Sequence, residues 1–216
     1  MGRPLPDGVA DDGPRPVQRR PRIEASRDQV LDTAEELFGA RGYRGASLQQ
    51  VAQRCGFSVG AVYLFFANKE DLFAEVLRRR GGRLTELTRA CVGRDAPAID
   101  VLVEWVDVVI GFHRQHPGFG RLSARMVAPG GSEEFPRSLG IFAERRDEAL
   151  APVVELIVRG QRQGTIRAGE PLVLVRLLSG LVTAHHGMDP ALLGTSVVAD
   201  DEEFRAFVRD AFAAPR

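Results

Sequence analysis

The sequence predicts an all-α protein. Apolar residues recur at helical spacing from about residue 26 almost to the end of the chain. The interruptions fall at Gly, Pro, Asn and Ser, the residues that start and stop helices. No alternating apolar–polar run bounded by hairpin signals occurs, and no repeat of fixed period.

Residues 1 to about 25 hold five of the 13 prolines (Pro4, Pro6, Pro14, Pro16, Pro21) and almost no large apolar side chains. Such a segment buries too little to offset its ordering entropy and reads as a flexible Arg/Pro-rich tail. The first helix is expected from Ser26, where Ser26-Arg27-Asp28-Gln29 fits a capping box. Val30, Leu31, Ala34, Leu37 and Phe38 form its apolar stripe, and Gly42 stops it. A second capping box, Ser47-Leu48-Gln49-Gln50, opens a short helix to about Arg54 with Leu48, Val51 and Ala52 facing inward. Cys55-Gly56-Phe57 makes a tight turn, since Gly56 adopts the positive φ that other residues resist. Ser58 caps a third helix, Val59 to about Phe66, and Asn68 caps a fourth. Helix, helix, short turn and helix inside 40 residues is a helix-turn-helix arrangement. Gly81-Gly82 then either softens the fourth helix as a link between two domains or marks a break between two helices. Further helices are expected at Ala98–Gln115, Gly118–Val127, Ser138–Gln163, Leu172–His186 and Glu202–Phe212.

The informative stretch joins a Gly42-Tyr43-Arg44-Gly45-Ala46-Ser47 turn to Val51-Ala52 and Gly56. It continues through Ser58-Val59-Gly60-Ala61-Val62-Tyr63-Leu64-Phe65-Phe66 to Asn68-Lys69-Glu70-Asp71-Leu72. Over residues 27 to 77 this resembles the DNA-binding domain of the TetR family of bacterial transcriptional regulators. The resemblance implies that Ser47, Tyr63 and Lys69 hold DNA phosphates, contacts that fix register without reading sequence. The residue chemistry agrees. A recognition helix enters the major groove by its N-terminal end, where Ser58, Val59 and Gly60 are small. Val59 suits a thymine methyl, and Gln49 and Arg44 complete the expected groove surface. Val62 and Phe66 are expected in the small domain's core. Relatives often carry His or Tyr where this chain has Phe65, so Phe65 is read as packing.

The 216 residues carry 29 Lys+Arg and 29 Asp+Glu, a net charge of zero. That sum hides an imbalance. Residues 14–80 hold 12 basic against 8 acidic side chains, and both flanks are acidic. Arg15, Arg19, Arg20 and Arg22 suit either an arm along a minor groove or a solvated tail. Lys69 is the single lysine.

The resemblance also implies a helical ligand-binding and dimerisation domain from residue 81 to 216, behind a DNA-binding domain of residues 26–80. Ala98–Gln115 is apolar nearly all round and is expected to be central. Trp105, Phe112, Phe119, Met126 and Phe142 suit either plain core or the lining of an apolar pocket, with His113, His116 or Arg125 supplying polarity. A two-fold operator needs a two-fold protein. The stripes Leu174, Leu177, Leu178, Leu181, Val182 and Phe204, Phe207, Val208, Ala211, Phe212 are the expected four-helix dimer interface.

Other classes are poorly served. Cys55 and Cys91 are too few for a disulfide framework or a zinc site. His113/His116 and His185-His186 lack completing ligands for a metal. No nucleophile elbow, P-loop or paired acid/base spacing points to an enzyme, and no cofactor is expected. No apolar run approaches a membrane span and the start is not a secretory signal, so a cytoplasmic protein is expected. The expected function is therefore a homodimeric regulator that binds double-stranded DNA. It is read as a repressor released by a largely apolar small-molecule effector. The alternative is a helical small-molecule-binding or interaction protein without DNA function, which leaves the grouped motif without a purpose.

Overall fold

The structure, a computed structural model, describes residues 19–127, 141–187 and 199–215, with the backbone alone at 19–22, 127, 141–147 and 186–187. Among the described residues there are nine helices and no strand. In chain order they are α1 (Arg19–Gly45), α2 (Leu48–Cys55), α3 (Val59–Tyr63), α4 (Lys69–Val92), α5 (Ala98–Gln115), α6 (Pro117–Val127), α7 (Ile141–Arg162), α8 (Pro171–Gly187) and α9 (Asp201–Phe212). An all-α fold is the observed class. The start of the helix predicted from Ser138 and the tail through Gln18, including Arg15, lie outside the described residues.

Two helix boundaries differ from expectation. α1 begins at Arg19, so Ser26 lies inside it and caps nothing. Pro21 does not prevent this, because the first turn of a helix has no use for the missing N–H. α4 runs unbroken through Gly81-Gly82, where packing along 24 residues outweighs about 1 kcal/mol per glycine. The expected stop at Gly42 is present as a left-handed kink, φ 70°.

Two apolar cores form. The first joins α1 to α4 around Phe38, Phe66 and Phe73, all 0–2% exposed, with Tyr43 and Phe38 edge-on or stacked against that ring set. It also takes in Phe112 of α5 and Phe119 and Leu122 of α6, so the N-terminal unit is completed by residues beyond 80. The second core surrounds α5, which touches α4, α6, α7, α8 and α9. Leu174, Leu178, Val182, Phe204, Val208 and Phe212 are all buried in it, and Leu181 packs on its edge. This corrects most of the expected dimer stripes: those side chains are consumed within one chain, because α8 packs on α5, α6 and α7 and α9 packs on α5. Leu177 and Phe207, with neighbouring Val173, remain 52–58% exposed.

Ion pairs fasten α9. Arg205 meets Asp107 at 2.9 Å and Arg209 meets Asp100 at 2.6 Å. At its first turn Asp201 accepts two hydrogen bonds from Arg114, and His185 Nε2 lies 3.1 Å away. Arg114 and His185 hold the Asp201 carboxyl down at about 2, and Arg78, with Arg27, holds Glu75 at about 2. Both folded values lie below the unfolded range near 4, so the stabilisation is complete above about pH 5 and is lost as pH falls towards 2. The thermal midpoint should therefore fall through that window. Glu75→Gln with Asp201→Asn should lower the midpoint at pH 7 and flatten its acid limb; an unchanged acid slope in the double variant would contradict the assignment.

Candidate functional site

The helix-turn-helix is set by local chemistry. The Ser47 hydroxyl accepts from Gln50 N–H at 3.3 Å while the Gln50 side chain accepts from Ser47 N–H at 3.1 Å, closing the expected capping box. Gly56 sits at φ 70° with its N–H on Gln53, and Phe57 N–H reaches the Ala52 carbonyl at 2.9 Å. The turn is held from outside as well: Gln29 Nε2 donates to the Cys55 carbonyl and the Cys55 thiol to Thr33 Oγ1. Ser58 caps α3 through Ala61 N–H at 3.1 Å. α3 is shorter than expected, because after Tyr63 the chain tightens through Leu64 N–H to Ala61 and Phe65 N–H to Val62.

Val62 and Phe66 are buried, as expected, and fix the orientation of α3. Opposite them, Gln49, Ser58, Gly60 and Tyr63 are exposed, as is Arg44. Val59 is half-buried against the core and offers only part of its side chain. Leu64, 84% exposed, was not singled out from sequence; lying midway between inward-facing Val62 and Phe66, it had to face out.

Lys69 departs from expectation. Its ammonium donates to the carbonyls of Tyr43 (2.8 Å) and Ala46 (3.0 Å) and lies 4.2 Å from the Tyr43 ring centroid, and burial pushes its pKa down. It staples the start of α4 to the α1–α2 turn instead of projecting freely towards a phosphate. The triplet Arg78-Arg79-Arg80 is likewise engaged internally. Arg78 binds Glu75, Arg79 binds Asp32, and Arg80 binds the buried Glu35 at 2.5 Å. Arg27 bridges Glu75 and the Phe66 ring. These four arginines are thus engaged with acids of the same segment, and its basic surplus rests on other side chains, among them exposed Arg41, Arg44 and Arg54.

A second feature lies behind this head. α4, α5, α6, α7 and α8 enclose a cavity of about 400 Å³. Of the expected lining residues, Trp105, His113, Phe119 and Met126 reach it. Phe112 does not, because it is edge-on to Phe119 in the head's core. His116 ends α5 outside the cavity, its pKa pushed down by burial and by nearby Arg80. Arg125 donates to the Gly39 and Ala40 carbonyls. The Phe142 side chain lies outside the described residues. Sequence reading missed the α4 wall of Gly81, Thr85 and Thr88, whose small residues at helical spacing were the available signal.

Two walls of the cavity also grip the head. α6 turns Phe119 and Met126 inward while Gly118 meets Gly39 of α1 and Arg121 pairs with Glu36. α4 carries the arginine triplet one turn from Gly81.

The head and the cavity define a helix-turn-helix protein with a helical body. Residues 30–76 match the family model described as bacterial regulatory proteins, tetR family. The chain is 27% identical over 154 residues to the HTH-type transcriptional repressor SCO4008 of Streptomyces coelicolor, covering 68% of this chain and 71% of that protein. It is 28% identical to the fatty acid metabolism regulator protein of Bacillus subtilis, over 39% of this chain and 42% of that one, so it matches less than half that relative's length. The fold is also that of the ketosteroid transcriptional regulator KstR2 of Mycobacterium tuberculosis, with a TM-score of 0.70 at 20% identity over 88% of this chain and 95% of that chain. No helix among the described residues is long and apolar enough to cross a membrane.

Proposed function

We propose that the protein is a sequence-specific DNA-binding transcriptional regulator, not an enzyme, that acts in the cytoplasm as a homodimeric repressor. A small, largely apolar effector releases it from a two-fold operator. The observation that carries this reading is α3, presented on buried Val62 and Phe66 with Ser58, Gly60 and Tyr63 exposed beside Gln49. Tyr63 and the capped start of α2 at Ser47 are the phosphate contacts in this reading, Gln49, Ser58, Val59, Gly60 and Arg44 the groove surface. The DNA-binding unit is residues 26–80 in sequence, with Phe112, Phe119 and Leu122 closing its core.

Val173, Leu177 and Phe207 support the dimer, as large apolar groups left exposed on α8 and α9. In this geometry two heads must meet successive major grooves, ~34–36 Å apart. The cavity supports the effector, since its size is within the range of about 300–1,000 Å³ usual for small-molecule sites. Motion of α4 or α6 then reaches the head directly.

The test is selection of bound duplexes from a random pool, followed by footprinting. A two-fold site, bound about tenfold or more weakly by Tyr63→Ala, is expected. Leu177→Glu with Phe207→Glu should run as a monomer on size exclusion and lose the site. Enrichment of no sequence, or full affinity in the monomeric variant, refutes the reading.

A further inference from the structure

Among the described residues Leu64 is the most exposed large apolar side chain, at 84%. Leu177, Phe207 and Val173, at 52–58%, belong to α8 and α9 and to the dimer reading. Leu64 is on the head instead. A single exposed leucine on an arbitrary surface needs no explanation. The position of this one does.

Leu64 closes α3 with helical angles, φ −69° and ψ −22°, so its direction follows from the helix. At about 100° per residue it lies about 160° round the axis from buried Val62 and about 40° from Gly60. Val62 and Phe66 anchor this stretch in the core, and Leu64 points away from them. Phe65 then turns back, half-buried, with its ring 6.5 Å from that of Phe66. Gly60, one turn ahead on the same side, faces open space: a Cβ there would meet only Ser58 Oγ, at 3.9 Å. The outward ridge of α3 is therefore bare backbone followed by an apolar side chain, with exposed Tyr63 beside it.

In the proposed regulator α3 enters the major groove, and this outward ridge is the part that meets base edges. Leu64 is about 6 Å along the axis from Gly60, so both fit one groove. The N–H groups of Leu64 and Phe65 are donated to the Ala61 and Val62 carbonyls, which leaves the side chain as the contact. Leucine has neither donor nor acceptor there, so phosphates and the polar atoms of base edges gain nothing from it. A base edge in the major groove carries one apolar group, the 5-methyl of thymine. Meeting it removes apolar surface from water on both sides. Val59, the side chain first expected at a thymine methyl, is half-buried against the core and offers less area.

We infer that Leu64 selects a thymine in each half-site through its 5-methyl group. This rests on the DNA-binding reading above and adds to it a residue that discriminates among sequences, where Tyr63 fixes position.

The probe is the duplex selected from a random pool, with each thymine replaced in turn by deoxyuridine, in one half-site and then in both. Deoxyuridine pairs alike and lacks the methyl. Fluorescence anisotropy with the full chain compares the duplexes. At one thymine position per half-site, deoxyuridine should weaken binding about fourfold, the ~0.8 kcal/mol of one buried methyl. With both half-sites replaced the loss should approach about fifteenfold. Leu64→Ala should weaken the thymine duplex by at least as much and bind the thymine and deoxyuridine duplexes alike. Tyr63→Ala, which removes a phosphate contact, should weaken both and keep their ratio. Leu64→Gln keeps the length, loses the apolar surface and should behave like Leu64→Ala, so the test stands if either variant misfolds by circular dichroism. The inference is overturned if no thymine position responds to deoxyuridine. It is equally overturned if the ratio of thymine to deoxyuridine affinities is the same in the Leu64 variants as in the parent, as contact with deoxyribose would give. Either result leaves the regulator reading standing, since the selected duplex is still bound. A pool that enriches no sequence refutes that reading, and this inference with it.

Discussion

Replacing Gly39 by alanine should destabilise the protein by about 2–3 kcal/mol and lower its thermal midpoint by roughly 5–10 °C. In an ordinary helix interior the same change gains about 1 kcal/mol. Here the added Cβ would stand 2.3 Å from the Gly118 carbonyl oxygen and 2.9 Å from its Cα. The obstacle is backbone, so no rotamer change relieves it and α6 must move off α1. The contact is reciprocal, since a Cβ on Gly118 would meet the Glu35 carbonyl at 3.0 Å. α6 carries cavity residues on its other face, so the shift should also perturb Trp105 fluorescence. Gly81→Ala is the internal control: its Cβ meets nothing within 4 Å and it should raise the midpoint. Equal midpoints for Gly39→Ala and the parent in differential scanning would show that the seam is not tight.

Lys69→Met should cost about 2 kcal/mol in urea unfolding and weaken DNA binding together with it. The Lys69 ammonium makes two hydrogen bonds to carbonyls, and bonds to charged groups are worth about 1.5–3 kcal/mol each, discounted here because the side chain is only half-buried. Methionine keeps most of the stem and removes the charge. The pattern of loss discriminates. A side chain serving only as a phosphate contact would lose DNA affinity at unchanged stability. A staple loses stability first, and affinity follows as the turn carrying Arg44 and Ser47 loosens. Unchanged unfolding with weakened binding would restore the phosphate reading of Lys69.

Much of the head was legible because its determinants are local. The Ser47–Gln50 box, left-handed Gly56 and the Ser58 and Asn68 caps each involve residues within four positions, and each is found. The internal contacts of Lys69 were not legible because its partners, the Tyr43 and Ala46 carbonyls, lie 26 and 23 residues away and are backbone atoms, which no side-chain pattern advertises. Most side chains of the expected dimer stripes, though not Leu177 and Phe207, are buried within the chain for a related reason. Helical periodicity identifies an apolar face but not what covers it, and Leu174, Leu178, Phe204 and Val208 are covered within the chain, α8 by α5, α6 and α7 and α9 by α5. Trp105, Phe119 and Met126, with His113, were found for the cavity because they are large side chains on apolar faces of α5 and α6. Gly81 and Thr85 were missed because their one signal, small residues at helical spacing, is far weaker than an apolar stripe.

The pairing of Arg27, Arg78, Arg79 and Arg80 with acids of α1 and α4 bears on how the head holds a duplex. DNA surrenders condensed counterions only to charges that reach its phosphates, about 0.9 per contact. In the DNA-free protein these four guanidinium groups are paired with acids of the same chain. In the proposed regulator the ionic part of the grip therefore falls to exposed side chains outside these pairs, such as Arg41 and Arg54, and neutral donors such as the Tyr63 phenol carry a larger share.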